Sequence, residues 1–365
     1  MSGPRLARLS GAQIALLGVV GLVAAVVLGL LGGALGLSVA SLADRGIQEQ
    51  TPTAARADQE PVLSGPETIA GVVRATLPSV VSVVVDAGAE SGSGSGFVLR
   101  DDGYLVTNNH VIDAAVVNDG TVEVVLSTGE RLSAEIIGRN VSYDIAVLRI
   151  DDESLAPLPP SESAATVGDS VLVMGAPLGY DFTVTTGIVS SIDRPVTVGE
   201  ADEASYISAI QTDAPINPGN SGGPVVDGQG RFIGMASSMA TLARGSGSGS
   251  IGLGFAIPAR AVVRIAEEII ATGSSRTPIM GVTLDTSFGG PGALIDTVTQ
   301  DGPAQAAGLR PGDVILTLAG RTVADADELV VAIRDRLPGE EVEVEARRGD
   351  RAFDTVVVLA SREDR

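Results

Sequence analysis

Short apolar runs rich in β-branched residues recur along the middle of the chain and limit the folds that it can adopt. Each run is bounded by glycine, aspartate or asparagine, a pattern typical of β-strands. Because many short strands follow one another without helical patterns between them, the sequence predicts an all-β barrel or sandwich. Two Gly-Ser tracts between such runs are predicted to be mobile surface loops. The strands are expected at 80–85, 96–99, 122–126, 145–150 and 171–174, and the loops at 91–96 and 245–250.

The periodicity changes after this region. Apolar residues recur every four positions over 259–271, with glutamates on the other side, which predicts an amphipathic helix that closes the barrel domain. A polar break at 272–277 is expected to precede a smaller C-terminal region. That region is predicted to contain strands, one helix over 325–336, and a final strand pair at 342–346 and 354–359.

The inventory of side chains excludes several kinds of chemistry. The chain has no cysteine, which excludes a thiol nucleophile, a disulfide and a cysteine-ligated metal. All 24 basic residues are arginines, so a catalytic lysine is excluded too. His110 is the one histidine, and we expect neither a metal site nor an organic cofactor. The formal net charge of −21 argues against nucleic acid as a partner.

An apolar run without charge extends over 14–37, with Arg5 and Arg8 before it. More than about 18 apolar residues suffice to cross a bilayer as a helix, and flanking arginines favour the cytoplasmic side. The sequence therefore predicts a cytoplasmic tail over 1–11 and a transmembrane anchor over 12–42.

The segment after the predicted anchor is polar and rich in Thr, Ala, Gln and Pro, which predicts a flexible linker over 43–66. The rest of the chain would then be extracytoplasmic and tethered to the cell membrane. A cleaved signal peptide is the alternative, because 41–43 resembles a small-x-small cleavage site, although the apolar run is longer than a signal peptide requires. Both interpretations place the protein outside the cytoplasm.

The histidine shares the chain with a serine in a glycine-rich turn, Ser221 in Gly-Asn-Ser-Gly-Gly. A hydroxyl becomes a strong nucleophile when a base removes its proton and donors stabilise the oxyanion. Taken singly, a turn serine, a core histidine and an aspartate before a strand all have ordinary structural explanations. His110, Asp144 and Ser221 nevertheless follow the order of the chymotrypsin triad, whereas α/β-hydrolases place the histidine after the serine.

Three segments around these residues resemble the catalytic motifs of the HtrA/Deg family of serine proteases. They are 107–111, 144–148 and 212–224, and the similarity extends to 94–98, 187–190 and 252–258. The resemblance implies a mainly β fold, with a chymotrypsin/trypsin-like double β-barrel protease domain over 67–272. It also implies that Ser221 is the nucleophile, that His110 is the base and that Asp144 orients the imidazole.

The same resemblance implies the surroundings of the triad. Backbone N–H groups of Gly219 and Ser221, with Asn220 between them, would form the oxyanion hole. The residue six positions before the serine would lie at the base of the S1 pocket, which here predicts small or medium aliphatic P1 residues. The S1 candidates are Pro215, Met235, Ala236 and Leu253.

The C-terminal region is similar to bacterial PDZ domains over 302–315, which implies an α+β PDZ domain over 276–365 that binds C-terminal peptides. Its expected peptide-binding residues are Ile279, Met280, Gly281 and Val282 in the carboxylate-binding loop and Leu329 and Ile333 on the opposite helix. Arg194 stands where the family carries an arginine that links peptide binding to the active-site loops. A homo-oligomer, a trimer in the family, is also implied.

Together these features predict a membrane-anchored, extracytoplasmic serine endopeptidase of protein quality control or stress signalling. Its substrates would be unfolded or regulatory proteins. The alternative is a membrane-tethered peptide-binding module or chaperone on a protease-like scaffold.

Overall fold

The computed structural model describes residues 68–152, 155–176, 182–198, 205–238 and 252–364. The predicted tail, anchor and linker lie outside these residues, as does the Gly-Ser tract at 245–250. Within the described ranges, the helices are too short or too polar to cross a bilayer.

The first six strands close into a barrel in the order β1-β2-β3-β6-β5-β4. All neighbouring pairs are antiparallel. Valine, isoleucine and leucine side chains fill the barrel, as the β-branched runs predict. The strands are β1 (Val80–Asp86), β2 (Gly92–Val98), β3 (Tyr104–Thr107), β4 (Thr121–Val125), β5 (Arg131–Asn140) and β6 (Ile145–Arg149).

The next six strands repeat this connectivity, in the cyclic order β7-β8-β9-β12-β11-β10. Helix α3 (Ala259–Thr272) follows the last of them and buries Val262, Ile265 and Ile269. It begins and ends within a residue of the predicted helix. The strands are β7 (Ser170–Gly175), β8 (Thr183–Val198), β9 (Ser205–Thr212), β10 (Pro224–Asp227), β11 (Phe232–Ala236) and β12 (Gly254–Pro258).

The two barrels share one hydrophobic core, in which Phe97 of β2 meets Phe232 of β11 with ring centroids 4.6 Å apart. Two helices lie against the barrels, α1 (Ile69–Thr76) and α2 (Asn109–Val117). Short 3₁₀ turns occur at Leu77–Ser79, Gly88–Glu90 and Val141–Tyr143. The last turn leads into β6 near the junction of the barrels.

The C-terminal domain combines a five-strand sheet path, β14-β15-β16-β18-β19, in which β17 also pairs with β16, and a two-stranded sheet, β13-β20. Its predicted helix and final strand pair are present as α5, β18 and β19. The elements are β13 (Ser275–Ile279), β14 (Val282–Leu284), β15 (Ala293–Val298), α4 (Pro303–Ala306), β16 (Asp313–Leu318), β17 (Arg321–Thr322), α5 (Ala326–Arg334), β18 (Glu341–Arg348), β19 (Arg351–Val358) and β20 (Ala360–Asp364).

Two expectations about polar segments are wrong. The tract at 91–96 is not a mobile loop, because Gly92–Val98 forms β2 and pairs with β1. A Cβ at Gly94 would lie 2.7 Å from the Val111 side chain, so glycine permits the close packing of α2. Half of the predicted break at 272–277 is strand β13, whose Ser275 and Thr277 are buried. The polar residues predicted a break here, but their hydroxyl groups are hydrogen-bonded to other parts of the chain and can therefore be buried in a strand.

Candidate active site

Asp144 lies at the end of the 3₁₀ turn Val141–Tyr143 and has left-handed backbone dihedrals, φ 57° and ψ 46°. The side chain of Asn140 caps this turn by accepting the Tyr143 N–H at 2.9 Å. The Asp144 N–H donates to the Val141 carbonyl at 3.3 Å. The turn therefore presents the carboxylate at the junction of the barrels, where Asp144 is buried.

His110 is the second residue of helix α2, and its imidazole meets this carboxylate. The ring Nδ1 lies 2.9 Å from Asp144 Oδ2 and 3.0 Å from Oδ1. The backbone N–H of His110 also donates to Oδ1 at 3.0 Å. Because a carboxylate only accepts hydrogen bonds, the proton of a neutral imidazole resides on Nδ1. This tautomer leaves Nε2 able to accept a proton.

The surroundings of His110 adjust its pKa in opposing directions. Burial disfavours the imidazolium, but the charge of Asp144, its hydrogen bond and the charge of Asp113 outweigh burial and raise the pKa above the usual value. The ring keeps access to solvent, since its side chain is 22% exposed. The site therefore stabilises an imidazolium, which a general base becomes during reaction.

Ser221 lies in a turn whose next position, Gly222, accommodates only glycine. Gly222 has φ +83°, and a Cβ there would collide with the Ser95 carbonyl oxygen and the Thr107 hydroxyl. The Ser95 N–H donates to the Ser221 carbonyl at 2.8 Å. Backbone contacts across the junction therefore fix the position of the serine.

The hydroxyl of Ser221 is directed at Ser238. The two Oγ atoms share a hydrogen bond of 2.5 Å, and the Ser238 N–H donates to Ser221 Oγ at 3.1 Å. Within the described residues, none of the side-chain hydrogen bonds joins Ser221 to His110. The structure thus gathers the three predicted residues at one junction, with the histidine and aspartate paired and the serine bonded elsewhere.

The predicted oxyanion loop is held by a chain of hydrogen bonds through Ser95. The Ser95 hydroxyl donates to the Gly219 carbonyl at 2.6 Å and accepts the Ala176 N–H at 2.8 Å. Asn220 is buried, and its N–H donates to the Asn217 carbonyl at 3.0 Å. These contacts set the orientation of the peptide planes on which an oxyanion hole depends.

Sequence reasoning missed four residues that contact the predicted catalytic groups. Ser237 donates to Asp144 Oδ2 at 3.3 Å, and the amide of Asn108 donates to the Asp144 carbonyl at 2.9 Å. Ser95 and Ser238 make the contacts described above. Ser95 and Asn108 lie inside segments that resemble the family motifs, but each of the four is distant in sequence from the residue that it contacts, so the sequence did not indicate these contacts.

The four S1 candidates do not line a common surface. Met235 is fully buried and packs in the core shared by the barrels, which Leu253 also contacts. Ala236 points to the opposite face of β11 and packs near Ile216, while Pro215 is exposed. Alternation of side chains along a strand explains why Met235 and Ala236 cannot share one wall.

Most of the predicted peptide-binding residues of the C-terminal domain line one groove of about 380 Å³. They are Ile279, Met280, Gly281, Val282 and Ile333. Leu329 does not line it, because its side chain is fully buried in the domain core. Val330 lines the groove in its place, together with Ala326 of the same helix.

Arg194 lies on strand β8, is exposed, and donates from Nε to Gln211 Oε1 at 3.0 Å within its own barrel. Its neighbours make the contacts with the C-terminal domain. The Asp193 carbonyl accepts from Arg321 at 3.1 Å, and Thr197 donates to Asp327 at 3.2 Å.

Two six-stranded barrels with a histidine–aspartate pair and a glycine-flanked serine at their junction define the trypsin-like class. The chain matches the trypsin-like peptidase domain over residues 94–235 and the PDZ domain over 278–359. It belongs to the HtrA/Deg family of trypsin-like serine proteases with a C-terminal PDZ domain.

Relatives of known name and structure resemble both domains. Serine protease PepD of Mycobacterium tuberculosis is 40% identical over 76% of this chain and 62% of its own length. Serine protease Do-like HtrA of Bacillus subtilis is 34% identical over 76% of this chain and 65% of its own. The chain thus spans less than two thirds of these relatives. The solved HtrA-type protease AlgW with tripeptide is 31% identical, with a TM-score of 0.62, over 80% of this chain and 97% of its own.

Proposed function

We propose that the protein is a serine endopeptidase in which Ser221 attacks the scissile carbonyl. His110 takes the serine proton and returns it to the leaving amine, and Asp144 holds the imidazole tautomer. The N–H groups of Gly219 and Ser221 stabilise the oxyanion. The observation that carries the proposal is the two-oxygen contact of Asp144 with His110 Nδ1, beside a buried, glycine-flanked serine.

Cleavage of casein by the full chain tests this assignment, with Ser221→Ala as the variant. Loss of the nucleophile is expected to lower kcat about 10⁶-fold. Ser287→Ala is the matched control, because Ser287 is an exposed serine of the C-terminal domain. Cleavage by Ser221→Ala at the wild-type rate would refute the assignment.

The PDZ domain is proposed to bind C-terminal peptides in the groove between β14 and α5. Apolar side chains line part of this groove, and Gly281, with φ +77°, stands in the loop predicted to bind the carboxylate. AlgW has been solved with a tripeptide and with a decapeptide. A labelled peptide with an apolar C-terminus should bind by fluorescence anisotropy, and its C-terminal amide should bind much more weakly. Equal binding of the two would exclude carboxylate recognition.

The proposed specificity is for small or medium aliphatic P1 residues. Pro215, rather than an acidic residue, stands at the position six before Ser221, so a basic P1 side chain lacks a charge partner there. A peptide library should show Val, Ala or Leu at P1. Rapid cleavage after Arg would contradict this preference.

We also propose that the enzyme is anchored by residues 12–42 with its protease domain extracytoplasmic, acting on unfolded or regulatory proteins. The uncharged apolar run supports the anchor, and several relatives carry names of periplasmic endoproteases. The family resemblance supports two further proposals, that Arg194 links peptide binding to the active-site loops and that the protein forms a trimer. Membrane fractionation with and without residues 1–42 tests the anchor, since recovery of both forms in the soluble fraction would exclude it.

One observation favours a second candidate, a peptide-binding module without turnover. Ser221 Oγ is hydrogen-bonded to Ser238 and not to His110 among the described residues. If the full chain binds C-terminal peptides but never cleaves casein with or without them, this second function would replace the first.

A further inference from the structure

The turn that carries Asp144 is bonded to a residue of the C-terminal domain. The Tyr143 hydroxyl donates to the Arg334 carbonyl at 2.6 Å. In return, Arg334 Nη1 donates to the Ser142 carbonyl at 2.5 Å. Two hydrogen bonds of opposite direction therefore connect the last residue of helix α5 with the two residues immediately before Asp144.

The rings around Arg334 reinforce this contact. Its guanidinium carbon lies 4.9 Å from the Tyr206 ring centroid and 5.9 Å from that of Tyr143. Burial lowers the pKa of Arg334 to about 10, so it remains charged at neutral pH. Burial raises the pKa of Tyr143 to about 12, so its hydroxyl keeps the proton that it donates.

The same turn is held from its other side by strands β13 and β20. Asn140, the capping residue, donates to Ser275 Oγ at 2.7 Å. The Ser142 hydroxyl donates to Asp364 Oδ1 at 3.2 Å and accepts from Arg362 at 2.5 Å. Contacts from the C-terminal domain therefore reach the turn from two directions.

Such support has a physical purpose at this position. Asp144 has positive φ, a conformation that is uncommon for residues other than glycine and that surrounding contacts hold here. Because Asp144 directly follows Tyr143, a shift of the turn would move the carboxylate relative to the His110 ring.

We propose that Arg334 and Tyr143 are positioning residues of the catalytic site, which hold the Asp144 carboxylate against His110 from the C-terminal domain. The proposal rests on the catalytic role assigned to Asp144. The peptide-binding domain would then support the acid–base pair directly, through contacts that do not involve Arg194. Arg334 also lines the peptide groove, so the same side chain belongs to both sites.

The test compares the full chain with Arg334→Met and Tyr143→Phe, with Arg336→Met as the control. Arg336 follows the same helix but pairs with Glu340 within its own domain. Kinetics on a peptide substrate give kcat and KM. His110 is the one histidine, so labelling histidine Cε1 with ¹³C gives a single NMR signal whose titration reports its pKa directly.

Arg334→Met is expected to lower kcat about tenfold, below the ~10²-fold cost of a 1 Å misplacement, with KM nearly unchanged. The pKa of His110 should fall, because the charge of Asp144 and its hydrogen bond are the main contributions that raise it. Tyr143→Phe should shift both quantities in the same direction by less, and Arg336→Met should shift neither.

An unchanged pKa of His110 in Arg334→Met would overturn the proposal. It would do so also where activity falls, if the loss of activity only matches the loss of folded protein measured by circular dichroism. Failure of the catalytic assignment gives a different result from failure of this proposal. In that case Ser221→Ala would retain cleavage, whether or not Arg334 is substituted.

Discussion

The two barrels repeat one strand connectivity, yet they support their parts of the site differently. The first barrel supplies His110 and Asp144, which are hydrogen-bonded to each other and supported by the C-terminal domain. The second barrel supplies Ser221, whose hydroxyl is bonded to Ser238 of the same barrel. The histidine–aspartate half of the proposed site is therefore assembled, whereas, among the described residues, the hydroxyl of the proposed nucleophile bonds within its own barrel rather than to the imidazole.

This difference separates two requirements of catalysis that the fold meets in different ways. Orientation of the histidine depends on a rigid turn and on contacts between domains. Orientation of the serine depends on a hydroxyl that rotates about one bond and can choose between partners.

Asp144→Asn should lower kcat about 10⁴-fold, because the amide would stabilise the wrong imidazole tautomer and no longer favour an imidazolium. The pKa of His110 should fall at the same time, as burial would then outweigh the remaining charges. Steady-state kinetics and the histidine NMR titration measure both. Asp113→Asn is the control, since it removes a nearby charge without touching the ring, and an equal loss there would argue against a special role for Asp144.

Gly222→Ala should disrupt the nucleophile half, because its Cβ would collide with Ser95 and Thr107 at φ +83°. We expect a stability loss of about 1–3 kcal/mol from overpacking and an activity loss of about 10²-fold from displacement of Ser221. Chemical denaturation and casein cleavage measure these effects. Gly228→Ala is a matched control, since nothing lies within 4 Å of a Cβ there.

The acid limb of kcat/KM should have its midpoint above about 6.5, the ordinary histidine pKa, because the pKa of His110 is raised. Below that midpoint, activity should fall about tenfold per pH unit. The same shift stabilises the fold at pH values below the unfolded pKa, and this contribution is lost as pH rises through the raised folded pKa. A midpoint below 6.5 would contradict the Asp144–His110 pairing.

Ser238→Ala should have the smallest effect and the opposite sign. Removing its hydroxyl frees Ser221 Oγ from a hydrogen bond worth about 1 kcal/mol, so kcat should rise by up to about fivefold. Ser287→Ala should leave the rate unchanged. If kcat falls instead, Ser238 assists Ser221 rather than competing with His110.

Much of this architecture is determined by local patterns in the sequence. Runs of β-branched residues located β1, β4 and β6 close to their observed ends, whereas β3 and β5 were not predicted and β2 begins four residues before the predicted strand. Four-residue periodicity located α3, because a helix buries one stripe of its surface. The order of His110, Asp144 and Ser221 predicted a catalytic triad before any contact between them was known.

The tertiary structure alone decided which polar groups meet, because hydrogen-bond partners distant in sequence leave no local pattern. Ser95 and Ser237 contact the site across the junction of the two barrels, and Ser238 contacts Ser221 within the second barrel. Leu329 and Val330 are both apolar helix residues, and packing decided which one faces the groove. The sequence thus located several strands of the first barrel, helices α3 and α5 and the candidate catalytic side chains, whereas the docking of the C-terminal domain placed Arg334 against the turn that presents Asp144.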